Sequence, residues 1–174
     1  MLADLLLAPF TPSNTARSAG TIYPIIRNLP PLYDSHPNTP SARRIGGYIM
    51  WTALAATSVT SSLFLTALAP NLLAVEFVRK ATSFEITWTQ WFLAAAPSSL
   101  ALLLVLPVLV HRLYPPEVTR GAQAPGWAAR ELEAIGPVSP QEILLSALVL
   151  LAIGLWIFGG RHISPTTTAL LVVC

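Results

Sequence analysis

Three adjacent residues near the start of the chain, Ser13, Asn14 and Thr15, have side chains that donate or accept hydrogen bonds, although residues 5–16 contain no charge. Asn and Thr can donate to the oxygens of an anion, and Ser and Asn oxygens can coordinate a hard cation. A broken helix beside them would add free carbonyl groups for the cation. This turn therefore has the chemistry to hold an anionic solute beside a coupling ion. The alternative is an ordinary helix cap, which the same residue types also form.

The composition predicts an all-α polytopic membrane protein. The 174 residues are 53% hydrophobic and 10% charged, with a mean hydropathy of +0.61, whereas soluble domains carry about 25% charged residues. Three long segments contain no Asp, Glu, Lys or Arg: residues 45–75, 86–111 and 143–160. Because a spanning helix needs about 20 apolar residues, we expect about three transmembrane helices.

Several functional classes are disfavoured by the sequence. The net charge is only +2 and the basic residues are scattered, so no basic stripe indicates nucleic-acid binding. The single cysteine, Cys174, permits no intramolecular disulfide. No predicted span contains an acid, base or metal-ligand pair, which argues against an intramembrane enzyme. We expect no cofactor, with sodium as a candidate coupling ion and protons or a counter-substrate as the alternatives.

Residues 1–27 are predicted to form a re-entrant hairpin whose tip is Ser13-Asn14-Thr15. The uncharged arms, residues 5–16 and 18–26, are too short to cross a bilayer, and Pro9, Pro12 and Pro24 interrupt them. Irregular backbone at membrane depth is tolerated where protein or a water-filled cavity covers it. The alternative is a truncated spanning helix followed by a loop. Arg17 follows the tip and is expected to face either the headgroups or the substrate path.

The remaining segments follow from charge, proline and hydroxyl patterns. We predict a cytoplasmic loop at 28–44, a transmembrane helix at 45–80 broken at Pro70-Asn71, and a second transmembrane helix at 86–113. A polar cytoplasmic connection with a short surface helix follows at 114–140, then a third transmembrane helix at 141–160 and the start of a further helix at 161–174. Seven Ser or Thr residues lie between Thr52 and Thr66; they indicate either close helix packing or a surface facing an ion pathway.

Residues 8–25 resemble the first signature hairpin of the divalent anion–sodium symporter family, in particular its 2-oxoglutarate/malate translocator branch. Similar stretches occur in the same order at 43–46, 61–69, 113–118, 135–139 and 155–159. Two departures are notable. Ser18-Ala19-Gly20 replaces a run of glycines, and Ala69-Pro70-Asn71 replaces the usual Ala-Ala-Asn-Pro, which alters the geometry expected at the helix break.

The resemblance implies an inverted-repeat transporter, with one such hairpin in each repeat. It implies substrate binding at the hairpin tip, where Asn14 and Thr15 contact a carboxylate. It also implies a cation site formed by the tip together with the broken helix. The residues implied for the substrate are Ser13, Asn14 and Thr15, and those for the cation are Ser13, Asn14, Thr66, Ala69 and Asn71.

We therefore interpret the chain as the N-terminal-repeat fragment of a secondary transporter. It is expected to move dicarboxylates such as 2-oxoglutarate or malate by cation symport or anion exchange. The expected partners are the anion, the lipid bilayer, a second repeat of the same protein and a second copy in a homodimer. The expected location is the bacterial inner membrane, with the plastid inner envelope less favoured. The alternative is a non-transporting membrane subunit that packs against partner helices.

Overall fold

The computed structural model describes residues 1–118, 121, 123–159, 163, 167–168 and 171. These residues form helices joined by short connections, and none of them lies in a strand. The prediction of an all-α fold is confirmed. The predicted helix at 161–174 falls almost wholly outside the described residues.

The first 26 residues form two helical arms joined by an extended turn. Helix α1 (Leu2–Leu7) runs into a 3-10 helix (Ala8–Phe10), and the backbone becomes extended at Thr11 and Ser13. The second arm is α2 (Asn14–Arg17), a π-helix (Ser18–Ile22) and α3 (Tyr23–Ile26). The π-helix ends two residues before Pro24, which has no N–H to contribute to an ordinary helical hydrogen bond.

The loop that follows contains two 3-10 helices, Pro30–Tyr33 and Pro40–Arg43. The buried Ser35 side chain closes it: the Ser35 hydroxyl donates to the Ser41 carbonyl oxygen at 2.8 Å and accepts from the Gly46 N–H at 3.0 Å. This loop therefore leads directly into the next helix without leaving its first N–H unpaired.

The break in the predicted 45–80 helix lies earlier than Pro70-Asn71, where the sequence predicts it. Helix α4 (Gly46–Leu63) ends at an extended Phe64, a 3-10 helix covers Leu65–Ala67, and α5 (Ala69–Thr82) starts after an extended Leu68. Pro70 lies in the first turn of α5. The sequence-based placement was wrong because proline is tolerated in the first turn of a helix, where its missing N–H would have no intrahelical partner.

Helices α6 (Trp88–Leu113) and α8 (Pro140–Phe158) are long and apolar enough to cross a membrane. Each begins with a capping box, made by Thr87 and Gln90 in α6 and by Ser139 and Glu142 in α8. Helix α7 (Gln123–Ile135) lies between them. The first predicted span, 45–80, corresponds to α4 and α5; α4 is 18 residues long and less apolar than α6 and α8 because of its hydroxyl side chains.

A row of aromatic rings joins the hairpin to the helix bundle. The ring centroids of Phe10 and Trp156 lie 6.0 Å apart, those of Trp156 and Trp88 lie 5.9 Å apart, and Phe64 stacks on Trp88 at 6.0 Å. Phe10 belongs to the first arm, Phe64 to the break, Trp88 to α6 and Trp156 to α8. Stacked aromatic pairs add to the energy of apolar burial, so this row holds the hairpin arm beside the break.

Candidate functional site

The turn at Ser13-Asn14-Thr15 is a capped helix start. The Ser13 hydroxyl accepts a hydrogen bond from the Ala16 N–H at 3.2 Å, and the Thr15 hydroxyl donates to Asn14 Oδ1 at 3.4 Å. Ser13 and Asn14 are half-buried and Thr15 is exposed. The capping geometry and the hairpin geometry therefore occur together, because the same serine that starts the second arm also forms the tip.

The break after α4 lies directly against this tip. The Ala69 N–H donates to the Pro12 carbonyl oxygen at 3.2 Å, and the Thr66 hydroxyl donates to the Pro9 carbonyl oxygen at 2.6 Å. Two segments about 57 residues apart in the chain thus share hydrogen bonds through both side chain and backbone. The structure thus places Ala69 beside Pro12, the residue directly before Ser13.

Thr66 is positioned by the hairpin and α6. Its hydroxyl is buried, donates to Pro9 and accepts a 3.4 Å hydrogen bond from the Trp88 indole N–H. The side chain is therefore used in packing the break against the first arm. In the described part of the chain, no backbone N–H from outside the short 3-10 helix donates to the Thr66 carbonyl oxygen, which leaves that oxygen as the group Thr66 can offer to a cation.

Asn71 closes the open end of α4. Its amide nitrogen donates to the Ser61 carbonyl oxygen at 2.8 Å and to the Phe64 carbonyl oxygen at 3.1 Å. These are carbonyl groups at the end of a helix, which have no intrahelical partner. Among the described residues, nothing donates to the Asn71 side-chain oxygen. Asn71 thus stabilises the break with one end of its amide and has an oxygen free at the other.

Arg17 lies in the protein interior instead of at the headgroups. Its side chain is 0% exposed and its Nε donates to Asp4 Oδ1 at 2.8 Å, while Asp4 is 1% exposed as a residue. The sequence alone is compatible with Arg17 facing either the headgroups or the substrate path, and it does not indicate Asp4 as the partner of Arg17. A negative charge so deeply buried needs a partner of opposite charge, and Arg17 provides it.

Besides α1, the Arg17 guanidinium contacts three segments: the extended turn at Thr11, the break and α4. Nη1 lies 3.1 Å from the Thr11 carbonyl oxygen and 3.4 Å from the Ala67 carbonyl oxygen, and Nη2 lies 3.0 Å from the Ser61 hydroxyl. Nη2 also donates to the Thr60 hydroxyl at 3.3 Å. The planar donor fork of arginine suits several acceptors at once. The guanidinium therefore lies between the tip, α4 and the break.

Asp4 is held by hydroxyl groups of α4 as well as by Arg17. Thr60 donates to Asp4 Oδ2 at 2.5 Å, and Thr57 donates to Asp4 Oδ1 at 3.4 Å. Thr57, Thr60 and Ser61 are spaced to share one face of α4, and all three are buried. The hydroxyl pattern that indicated either packing or a pathway thus belongs, in this part of α4, to the surface that contacts the hairpin.

Comparisons with known proteins agree with this architecture. The family model described as the sodium:sulfate symporter transmembrane region matches residues 1–174. A citrate/succinate antiporter of Escherichia coli (strain K12) is 50% identical over 173 residues, which cover 99% of this chain. An L-tartrate/succinate antiporter of Shigella sonnei (strain Ss046) is 50% identical over the same share of the chain. The chain spans 36% of the length of each of these relatives.

The predicted membership of the divalent anion–sodium symporter family is therefore confirmed. The family and the relatives are transporters and not enzymes, and the family is a transmembrane one. On the match of the whole chain to the family model, this protein belongs to the sodium:sulfate symporter transmembrane family.

Proposed function

We propose that this chain forms one half of the binding site of a secondary transporter for dicarboxylate anions. The observation that carries the proposal is that the residues just before the Ser13-Asn14-Thr15 tip contact the break after α4, through the Pro12–Ala69 and Pro9–Thr66 hydrogen bonds. A polar turn beside free carbonyl groups is the kind of site that inverted-repeat transporters use. The antiporter names of the 50% identical relatives support the same function.

On the substrate side, we assign the anion to Ser13, Asn14 and Thr15. The Asn14 amide and the Thr15 hydroxyl are the donors that a carboxylate requires. Arg17 lies next to the tip, but its charge is paired with Asp4, so the neutral donors of the tip carry recognition. The relatives are named for citrate, tartrate and succinate; 2-oxoglutarate and malate share the two carboxylates and remain candidates.

For the coupling cation, we assign Ser13, Asn14, Thr66, Ala69 and Asn71. Thr66 and Ala69 would contribute backbone carbonyl oxygens, and Asn71 its free amide oxygen. Oxygen ligands of this kind suit sodium, which the description of the family model names. The antiporter names of the relatives favour anion exchange, so cation symport and exchange are distinguished by experiment.

The remaining parts of the proposal concern the assembly. We propose a second repeat of the same protein opposite this one, a homodimer, and the inner membrane of a bacterium as the location. The Escherichia and Shigella relatives support a bacterial membrane over a plastid envelope. The competing function is that of a membrane subunit that transports nothing and only packs against partner helices.

The test is uptake by the full-length protein that contains this chain, purified and reconstituted in proteoliposomes. We expect labelled succinate or malate to enter vesicles preloaded with unlabelled dicarboxylate. Asn14→Ala should abolish uptake while the protein still folds. Asn28→Ala is the matched control, because Asn28 is exposed and, within the described residues, its side chain donates only to the Pro24 carbonyl oxygen.

Two outcomes would count against the proposal. Undiminished uptake by Asn14→Ala would remove the tip from the substrate site. A folded wild-type protein that moves no dicarboxylate, with or without sodium and preloading, would favour the subunit function. Uptake that needs sodium but no internal anion would indicate symport, and the reverse would indicate exchange.

A further inference from the structure

The buried Asp4–Arg17 pair joins the parts of the site that must act together. Asp4 lies on α1 in the first arm, and Arg17 lies on α2 just after the tip. The guanidinium reaches the carbonyl oxygen of Thr11 on one side of the tip and that of Ala67 in the break on the other. One side chain therefore contacts both halves of the proposed site.

The charges of Asp4 and Arg17 balance each other within their hydrogen-bond network. Among the described residues, Arg17 is the only cation within hydrogen-bond reach of Asp4, and Asp4 is the only anion within hydrogen-bond reach of Arg17. The other contacts are made by hydroxyl and carbonyl groups of Thr11, Thr57, Thr60, Ser61 and Ala67. Because the two charges balance and both side chains are buried with hydrogen-bond partners, the pair needs no substrate anion as a further partner. Its role is therefore separate from anion binding.

We propose that the Asp4–Arg17 pair is a positioning device that sets the spacing between the Ser13-Asn14-Thr15 tip and the broken segment after α4. Arg17 acts through the backbone of Thr11 and Ala67 and does not touch the substrate. The role in substrate affinity rests on the proposed transport function; the role in spacing does not. A buried charged group at membrane depth is costly, and a fixed tip-to-break distance is the use to which this pair is put.

A direct consequence concerns affinity. The substrate and the cation are both assigned to groups on either side of the tip–break contact. A larger or more variable distance between the tip and the break would raise both the KM for the anion and the half-saturating cation concentration. A pair that serves only general folding would lower the amount of folded protein and leave the KM of the folded molecules unchanged.

The variant to test is the double substitution Asp4→Asn/Arg17→Gln in the full-length protein. Removing both charges avoids leaving one of them buried without a partner, which a single substitution would do. The matched control is Glu76→Gln/Arg79→Gln, because that pair has the same 2.8 Å N–O distance but is exposed on α5. Exposed pairs of this kind contribute little, so the control should behave as wild type.

The first measurement follows the spacing without transport. Cysteines replace Pro12 and Ala69, whose backbones are joined by a 3.2 Å hydrogen bond, in a Cys174→Ser background, and the rate of disulfide formation is measured in membranes. A second cysteine pair at Gly47 and Tyr114, where the tyrosine ring lies against the glycine, reports on the fold far from the tip. We expect the double variant to slow the Pro12–Ala69 cross-link at least about tenfold and to leave the Gly47–Tyr114 cross-link unchanged.

The second measurement is the KM for dicarboxylate uptake by the folded fraction in proteoliposomes. We expect the double variant to raise the KM about tenfold or more, with a smaller change in kcat. Unchanged rates for both cross-links would overturn the proposal. Loss of both would identify the pair as a general folding determinant and overturn it equally. A third outcome separates the two proposals. If the wild-type protein transports nothing but the double variant still slows the Pro12–Ala69 cross-link alone, the positioning role stands and only the transport function is refuted.

Discussion

The Thr66 hydroxyl donates a 2.6 Å hydrogen bond to the carbonyl oxygen of Pro9. This contact joins the 3-10 helix of the break to the first arm of the hairpin. It also explains why the Thr66 side chain is buried instead of facing the anion. Thr66 therefore stabilises the geometry on which the neighbouring polar groups depend.

Replacement of Thr66 by valine should destabilise the protein. Valine keeps the shape but removes the donor, which leaves the buried Pro9 carbonyl oxygen unpaired at a cost of about 1–3 kcal/mol. Thr66→Ser keeps the hydroxyl and is the control. The measurement is the unfolding midpoint of the purified full-length protein in detergent. Equal midpoints for the valine and serine variants would contradict this reading of the bond.

Replacement of Asn71 tests the closure of the break. Asn71→Ala should cost about 1–3 kcal/mol, because the Ser61 carbonyl oxygen loses its donor and the Phe64 carbonyl oxygen keeps only the Ala67 N–H. Asn71→Asp should be more damaging, since a carboxylate would place negative charge beside those same carbonyl groups. Thermal unfolding of the two variants and of the exposed Asn28→Ala variant gives the comparison. An aspartate variant as stable as wild type would show that the donor is not needed.

The two roles of Ser13 can be separated by two substitutions. Ser13→Ala removes the cap on α2 and should cost about 0.5–2 kcal/mol of stability, whereas Ser13→Gly should cost only roughly a few tenths of a kcal/mol. Both remove the hydroxyl proposed for the substrate and cation. Dicarboxylate uptake should therefore fall to a similar extent in both variants, although only the alanine variant unfolds more easily. Normal uptake by Ser13→Gly would leave the residue with a capping role alone.

The start of α4 depends on a glycine. A Cβ added at Gly47 would lie 2.4 Å from the Tyr114 ring, so Gly47→Ala must displace that ring and should destabilise by about 1–3 kcal/mol. Tyr114 also lies under the Arg43 guanidinium, 5.3 Å from the ring centroid. Gly126→Ala in α7 is the control, because an added Cβ there meets no atom within 4 Å. Unfolding midpoints that shift equally in both variants would show that the close contact has no consequence.

The sequence also anticipated much of the architecture. The low charge and the long uncharged segments predicted an all-α membrane protein, and residues 8–25 predicted the family; both predictions are confirmed. The break lies a few residues before the predicted Pro70-Asn71, because Phe64 and Leu68 are the extended residues and Pro70 lies in the first turn of α5. Proline marks a helix boundary but does not distinguish the end of one helix from the start of the next.

By itself, the sequence determined the class of protein, the family and the polar turn, because these depend on local composition and on residues that are neighbours in the chain. Only the tertiary structure decided what the polar side chains contact. Arg17 meets Ser61 across 44 positions and Thr66 meets Pro9 across 57. A buried polar group must find a partner wherever the fold places one, and hydrophobic periodicity indicates which face is buried without specifying that partner. For this reason Asp4, Arg17 and Thr66 acquired their roles only when the hairpin was packed against α4.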